Sequence, residues 1–121
     1  MNFGAGKTSL TSNFGIGDKW KWEHHTVDGR LQMAVNTGYD LARALIEDPH
    51  LKVLILNGYF DLATPFSATE YMVDHLGVGA DVHARISMKY YEAGHMMYIH
   101  PPSLVRMKAD VDAFIVETSG L

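Results

Sequence analysis

The run Val53-Leu54-Ile55-Leu56 is apolar on both faces of an extended chain, and no other feature narrows the fold as much. A half-exposed strand alternates apolar and polar residues, whereas one that is apolar throughout is built to be covered on both sides by helices, as in a parallel sheet. The flanking segments supply such helices. From about Asn36, residues Tyr39, Ala42, Leu45 and Ile46 share one helical face with Asp40, Arg43 and Glu47 opposite, until Pro49 stops the pattern. After the strand, Thr64-Pro65 offers a polar N-cap with proline at the first helical position, and Ser67-Ala68-Thr69-Glu70 offers a capping box. Either start predicts a helix to about His75 with Ala68, Tyr71, Met72 and Leu76 turned inward, broken by Gly77-Val78-Gly79. Ile86, Met88 and Tyr90 alternate with Ser87, Lys89 and Tyr91, which predicts a second strand. Pro101-Pro102 then opens a last helix with Leu104, Met107, Val111, Phe114 and Ile115 in one stripe. The order helix, strand, helix, strand, helix predicts an α/β fold whose parallel strands alternate with helices through right-handed crossovers.

The N-terminal part reads differently. Residues 1–19 are rich in glycine and small polar residues and predict a loose lead-in, with residues 20–121 forming the folded segment. Within the lead-in, Gly4-Ala5-Gly6-Lys7-Thr8-Ser9 has the flavour of a phosphate-binding loop, but that motif needs a glycine five positions before Gly6, where Met1 stands, and a preceding strand. Trp20, Trp22, His24 and Thr26 alternate up to Val27-Asp28-Gly29-Arg30, and Leu31, Met33 and Val35 alternate beyond it, a hairpin pattern around an Asp-Gly turn. The pair His24-His25 lacks a third ligand at a supporting spacing, so surface or turn histidines are the expectation there.

Composition removes several function classes. At 121 residues the chain is one modest domain, and 47% hydrophobic with 20% charged residues is the composition of a packed globule. A net charge of -4 with scattered Lys and Arg speaks against a nucleic-acid partner. No apolar run approaches the roughly 20 residues of a membrane-spanning helix, and no signal peptide is read from Met1 onward. With Cys 0, disulfides and thiolate metal sites are excluded, and no cofactor is expected.

Each predicted strand ends in a loop carrying a chemically capable residue. Asp61 lies four residues past Asn57 and His95 four past Tyr91, and in a parallel sheet both loops open on the carboxyl edge, where functional groups gather. A serine hydroxyl becomes a nucleophile when an imidazole takes its proton, and the imidazole needs an anion at its other nitrogen. His95 fits the base and Asp61 the orienting acid. On spacing alone, an Asx turn at Asp61 and a solvated His95 are the competing readings.

The residues from Leu51 to Phe66, LKVLILNGYFDLATPF, together with Tyr91-Glu92-Ala93-Gly94-His95-Met96-Met97-Tyr98, closely resemble the C-terminal part of the serine carboxypeptidase family in its bacterial-type branch, over roughly Asn36 to Val116. The resemblance implies the C-terminal portion of an α/β-hydrolase fold and the removal of C-terminal residues from peptides. It implies that Asp61 and His95 are the triad acid and histidine, and that Met96 takes part in the pocket for the departing residue, with core filler as the alternative for Met96 and Met97. It further suggests a secreted, periplasmic, lysosomal or vacuolar compartment.

The departures from that family are equally informative. Its nucleophile sits in a Gly-x-Ser-x-Gly elbow, and none of Ser9, Ser12, Ser67, Ser87, Ser103 or Ser119 has both flanking glycines. The expectation is therefore a C-terminal fragment, inactive alone, that meets its peptide substrate only within the complete enzyme, whose N-terminal part carries the nucleophile and oxyanion hole. Self-association through the uncovered Val53 to Asn57 strand is expected of such a fragment. Two alternatives stand beside this reading. One is a non-catalytic binding or folding module with a hydrolase-like half-sheet, which Asp61 and His95 side chains pointing apart would favour; the other is a metal site of His95, His100 and His75, which no carboxylate completes.

Overall fold

The strands expected at Val53 and Ile86 are joined to each other at both ends by backbone hydrogen bonds, from the Val53 amide to the Arg85 carbonyl (2.9 Å) and from the Tyr59 amide to the Tyr91 carbonyl (2.9 Å). In the computed structural model, which describes Lys19, Lys21, residues 23–25, residues 29–32 and residues 36–120, the chain divides into two units, Met1–Asn36 and Thr37–Leu121. In the first, β1 (His24–His25) pairs antiparallel with β2 (Leu31–Gln32), and Gly29 between them has φ 80°, a turn conformation that glycine adopts without strain. The expected hairpin is present there. Its tryptophans, and the glycine-rich lead-in with its Gly4 to Ser9 segment, lie outside the described residues.

The second unit runs α1 (Gly38–Glu47), β3 (Val53–Gly58), α2 (Phe66–Asp74), α3 (Ala80–His83), β4 (Ile86–Tyr91) and α4 (Pro101–Ser119). It is mixed α/β, and β3 pairs parallel with β4 from Val53 opposite Ile86 to Gly58 opposite Tyr91. The short α3 escapes the sequence pattern because four residues carry too little periodicity to see.

Helix α1 ends at Glu47, two residues before Pro49, which stops it as expected, and the Asp48 carboxylate accepts from the His50 amide. Its last carbonyls have no partner within the helix, and Arg85 supplies one. The Arg85 guanidinium donates to the carbonyls of Leu45 (2.5 Å), Asp48 (2.8 Å) and Leu51 (3.0 Å), so a single planar fork joins the C-terminus of α1 to the entry of β4. Leu45, fully buried, and Ala42 form the inward face of α1, whereas Tyr39 and Ile46, expected to join them, are exposed.

Successive residues of β4 point to opposite faces, and its last two do different work. Tyr90 stacks on Tyr59 with ring centroids 5.5 Å apart, meets Phe66 edge-on at 6.0 Å, and donates its hydroxyl to Glu70 of α2 at 2.7 Å. Tyr91, fully buried, donates to Asp110 of α4 at 2.9 Å, with Arg106 5.9 Å over its ring. Burial, and then the carboxylate partner, pushes each hydroxyl up to about 12. Helices α2 and α4 thus cover opposite faces of the sheet.

Several side-chain expectations are corrected. In α2 the buried residue is Val73, with Leu76 just beyond the helix, while Ala68 and Tyr71 are exposed. In α4 the stripe narrows to Met107, Val111 and Phe114, and Leu104 and Ile115 face outward. Residues Val53 to Leu56 are only half-buried, because β3 has a strand partner on one side alone among the described residues.

Candidate active site

Gly58 brings the two functional loops together. A Cβ there would lie 2.5 Å from the Gly94 carbonyl oxygen and 2.6 Å from that of Ala93, so only glycine allows the segment after β4 to pass so close. Beyond this crossing, the Tyr59 amide donates to the Tyr91 carbonyl (2.9 Å) and the Phe60 amide to the Ala93 carbonyl (3.0 Å). A turn from Gly58 to Asp61 then swings Asp61 back toward the sheet, its amide donating to the Gly58 carbonyl at 3.2 Å.

The Asp61 carboxylate receives four donors. Its Oδ1 accepts the amides of Ala63 (2.8 Å) and Thr64 (2.9 Å), and its Oδ2 accepts the Thr64 hydroxyl (2.6 Å) and the Nδ1–H of His95 (2.9 Å). The Thr64 hydroxyl and amide, followed by His95, hold the carboxyl well below the usual carboxylate range, against the opposing effect of burial. An ionised carboxylate has no proton to give, so the imidazole is the donor in the Asp61–His95 contact. The side chain of Asp61 is 6% exposed and that of His95 64% exposed, so the acid is enclosed and the base is open.

Asp61 therefore makes the Asx-type turn that was one competing reading and also binds His95; the two roles coexist. Thr64 departs from expectation. No side chain caps α2, whose N-cap position is Pro65, because the Thr64 hydroxyl is committed to Asp61; nor does Ser67-Glu70 form a capping box, Glu70 accepting from Tyr90 instead. A threonine ahead of a proline signals a cap and an aspartate-binding hydroxyl equally well, so the pattern alone could not choose.

Met96 immediately follows His95, leads into a 3-10 turn (Met97–Ile99) and is half exposed. With Glu92, Ala93, Gly94, His95, Ile99 and His100 it lines a concavity of about 510 Å³. Tyr59, Phe60, Leu62, Tyr98 and Ile99 are also exposed in these two loops. Asn57, at the carboxyl end of β3, is buried with its Nδ2 unpartnered among the described residues.

No serine among the described residues hydrogen-bonds His95. Ser103 is buried against His100 Nδ1 (2.8 Å), Ser119 donates to the Ile115 carbonyl (2.6 Å), and Ser67 and Ser87 are exposed on α2 and β4. The three histidines considered as metal ligands are not gathered: His75 is bonded to the Tyr71 carbonyl and stacked on its ring, His100 is bonded to Ser103, and no group of three metal-binding side chains occurs among the described residues. No helix among them is long and apolar enough to cross a membrane. Compared with protein-family models, curated proteins and solved structures, the chain matches none.

Proposed function

We propose that Asp61 and His95 are the acid and base of a serine-hydrolase site, in the C-terminal portion of an α/β-hydrolase of the serine carboxypeptidase kind. The observation that carries the proposal is the 2.9 Å contact from His95 Nδ1 to an enclosed, fully hydrogen-bonded Asp61, with both residues just past the ends of adjacent parallel strands. A side chain fixed at Nδ1 by an anion keeps its lone pair at Nε2, where a base must act. In the complete site Nε2 would take the proton of a serine hydroxyl as its oxygen attacks a peptide carbonyl, then return it to the departing amine; Asp61 would stabilise the imidazolium between these steps.

The serine and the oxyanion donors belong, on this reading, to a polypeptide segment outside this chain. The half-buried β3 and the exposed base both fit a surface completed by further polypeptide. Met96 and the concavity beside His95 would then border the departing residue. Side chains pointing apart would have favoured a binding module; they meet instead.

A fluorophosphonate probe tests the division of labour. The chain alone is expected to resist labelling and to release no C-terminal residue from peptides, since base and acid without a nucleophile leave nothing to acylate. Probe found on one of its own serines would overturn the placing of the nucleophile in another segment.

A further inference from the structure

We infer that Thr64 is a positioning residue, whose hydroxyl donates to the same carboxylate oxygen as His95 and so leaves His95 Nδ1 facing acceptors only. This inference rests on the acid and base reading of Asp61 and His95. A threonine hydroxyl has one proton and two lone pairs. Here the proton goes to Asp61 Oδ2 at 2.6 Å, so the side of Thr64 Oγ1 that lies 3.4 Å from His95 Nδ1 offers only lone pairs. The second neighbour of Nδ1 is Oδ2 itself at 2.9 Å, an anion. With no donor on that side, a proton on Nδ1 is satisfied and a lone pair on Nδ1 is opposed by two others. The proton is thereby confined to Nδ1, and Nε2 carries the lone pair.

The same hydroxyl also fixes where Oδ2 lies. The amides of Ala63 and Thr64 grip Oδ1 alone and leave the carboxylate free to pivot about that oxygen. The Thr64 hydroxyl, on a side chain anchored by the same loop, is the second point that stops the pivot. At 2.6 Å it is the shortest of the carboxylate's four contacts, as a hydroxyl bond to an ionised acceptor should be. Glu92 and His100 are the other titratable groups lining the concavity beside His95, and neither hydrogen-bonds Asp61 or His95 among the described residues.

Thr64→Val keeps the shape and removes the hydroxyl; Thr64→Ser keeps the hydroxyl and removes the methyl. Thr64 is exposed, so neither change opens the core, and Thr64→Ala serves as a third variant should valine disturb the loop. Side-chain nitrogen NMR of the isolated chain reads the His95 tautomer, and carboxyl carbon NMR reads the Asp61 titration. The expected result is a dominant Nδ1–H tautomer in the parent chain, a visible Nε2–H fraction in Thr64→Val and Thr64→Ala, and restoration in Thr64→Ser. The Asp61 carboxyl titration should rise toward the ordinary range in the first two variants and return in the third. A merely structural threonine would alter the unfolding midpoint and leave both spectra unchanged, and that outcome would overturn the inference. Neither measurement needs a nucleophile or a substrate, so a failure of the acid and base reading, seen as labelling of a completed site's nucleophilic serine that His95→Gln leaves unchanged, is distinguishable from a failure of the Thr64 assignment.

Discussion

His95 Nδ1 lies 2.9 Å from Asp61 Oδ2, and the two side chains differ tenfold in exposure, the acid at 6% and the imidazole at 64%. That asymmetry is what a base requires when it must meet a group arriving from outside while its own orientation is held from within. The enclosed half is complete in this chain: four donors surround one carboxylate.

Acid titration should report this arrangement. Because the folded Asp61 carboxyl titrates below its unfolded value, its contribution is fully present above about pH 4 and is lost as pH falls below that. Urea unfolding of the parent chain and of Asp61→Asn, measured from neutral pH downward, should show the variant less stable at pH 7 and the two curves converging in acid. Parallel curves would remove the electrostatic account of Asp61.

The crossing at Gly58 predicts a difference between two glycines. Gly58→Ala forces a methyl into two carbonyl oxygens and should cost about 1–3 kcal/mol through displaced backbone. It should also weaken the Nδ1–H resonance of His95, since the same crossing sets the spacing of the loops. At Gly94 the nearest atom to an added Cβ is the Phe60 carbonyl oxygen at 3.7 Å, an ordinary contact, so Gly94→Ala should leave both stability and resonance near those of the parent. Equal losses in the two variants would contradict this.

Arg85 predicts a stability effect remote from the site. Its fork satisfies carbonyls of Leu45, Asp48 and Leu51, so Arg85→Met should cost about 1–3 kcal/mol by stranding the partly buried carbonyls of Leu45 and Leu51, whereas that of Asp48 is exposed and keeps the Leu51 amide. Arg85→Lys should recover only part of that, because an ammonium lacks the planar fork. Chemical unfolding of the two variants measures the difference.

Among the described residues β3 is paired on one side only and carries no charge between Val53 and Gly58, whereas β4 carries Lys89 within its span. Charged residues discourage edge pairing, so association between copies should run through β3. Light scattering should show mass rising with concentration, and Ile55→Lys should suppress the rise. A constant monomer mass with slowly exchanging amides from Val53 to Leu56 would show that the edge is protected within one chain.

Much of this was legible in the residue pattern, for reasons that differ by element. The parallel strands could be read because a two-faced apolar run and a strict alternation report directly on backbone extension, and the loops bearing Asp61 and His95 followed from the strand ends, although β3 runs one residue further than expected, to Gly58, so the two offsets are three and four rather than equal. Inward faces were less legible. Helical spacing shows that Tyr71 and Val73 lie on different sides of α2, but which side meets the sheet depends on the aromatic contacts of Tyr59, Phe66 and Tyr90. Thr64 was misassigned because a hydroxyl has one proton, and only the fold decides whether a helix end or a carboxylate receives it.

The most direct test of the central claim is a graft. Residues 36–116 would replace the acid- and histidine-bearing C-terminal segment of a serine carboxypeptidase, and fluorophosphonate labelling of the host's nucleophilic serine would be followed alongside release of C-terminal residues from a peptide. The graft should be labelled and active, with Asp61→Asn lowering kcat by about 10⁴-fold and His95→Gln abolishing rapid labelling. A folded graft whose serine labels equally well with His95 replaced, or not at all, would contradict the assignment of Asp61 and His95 as acid and base.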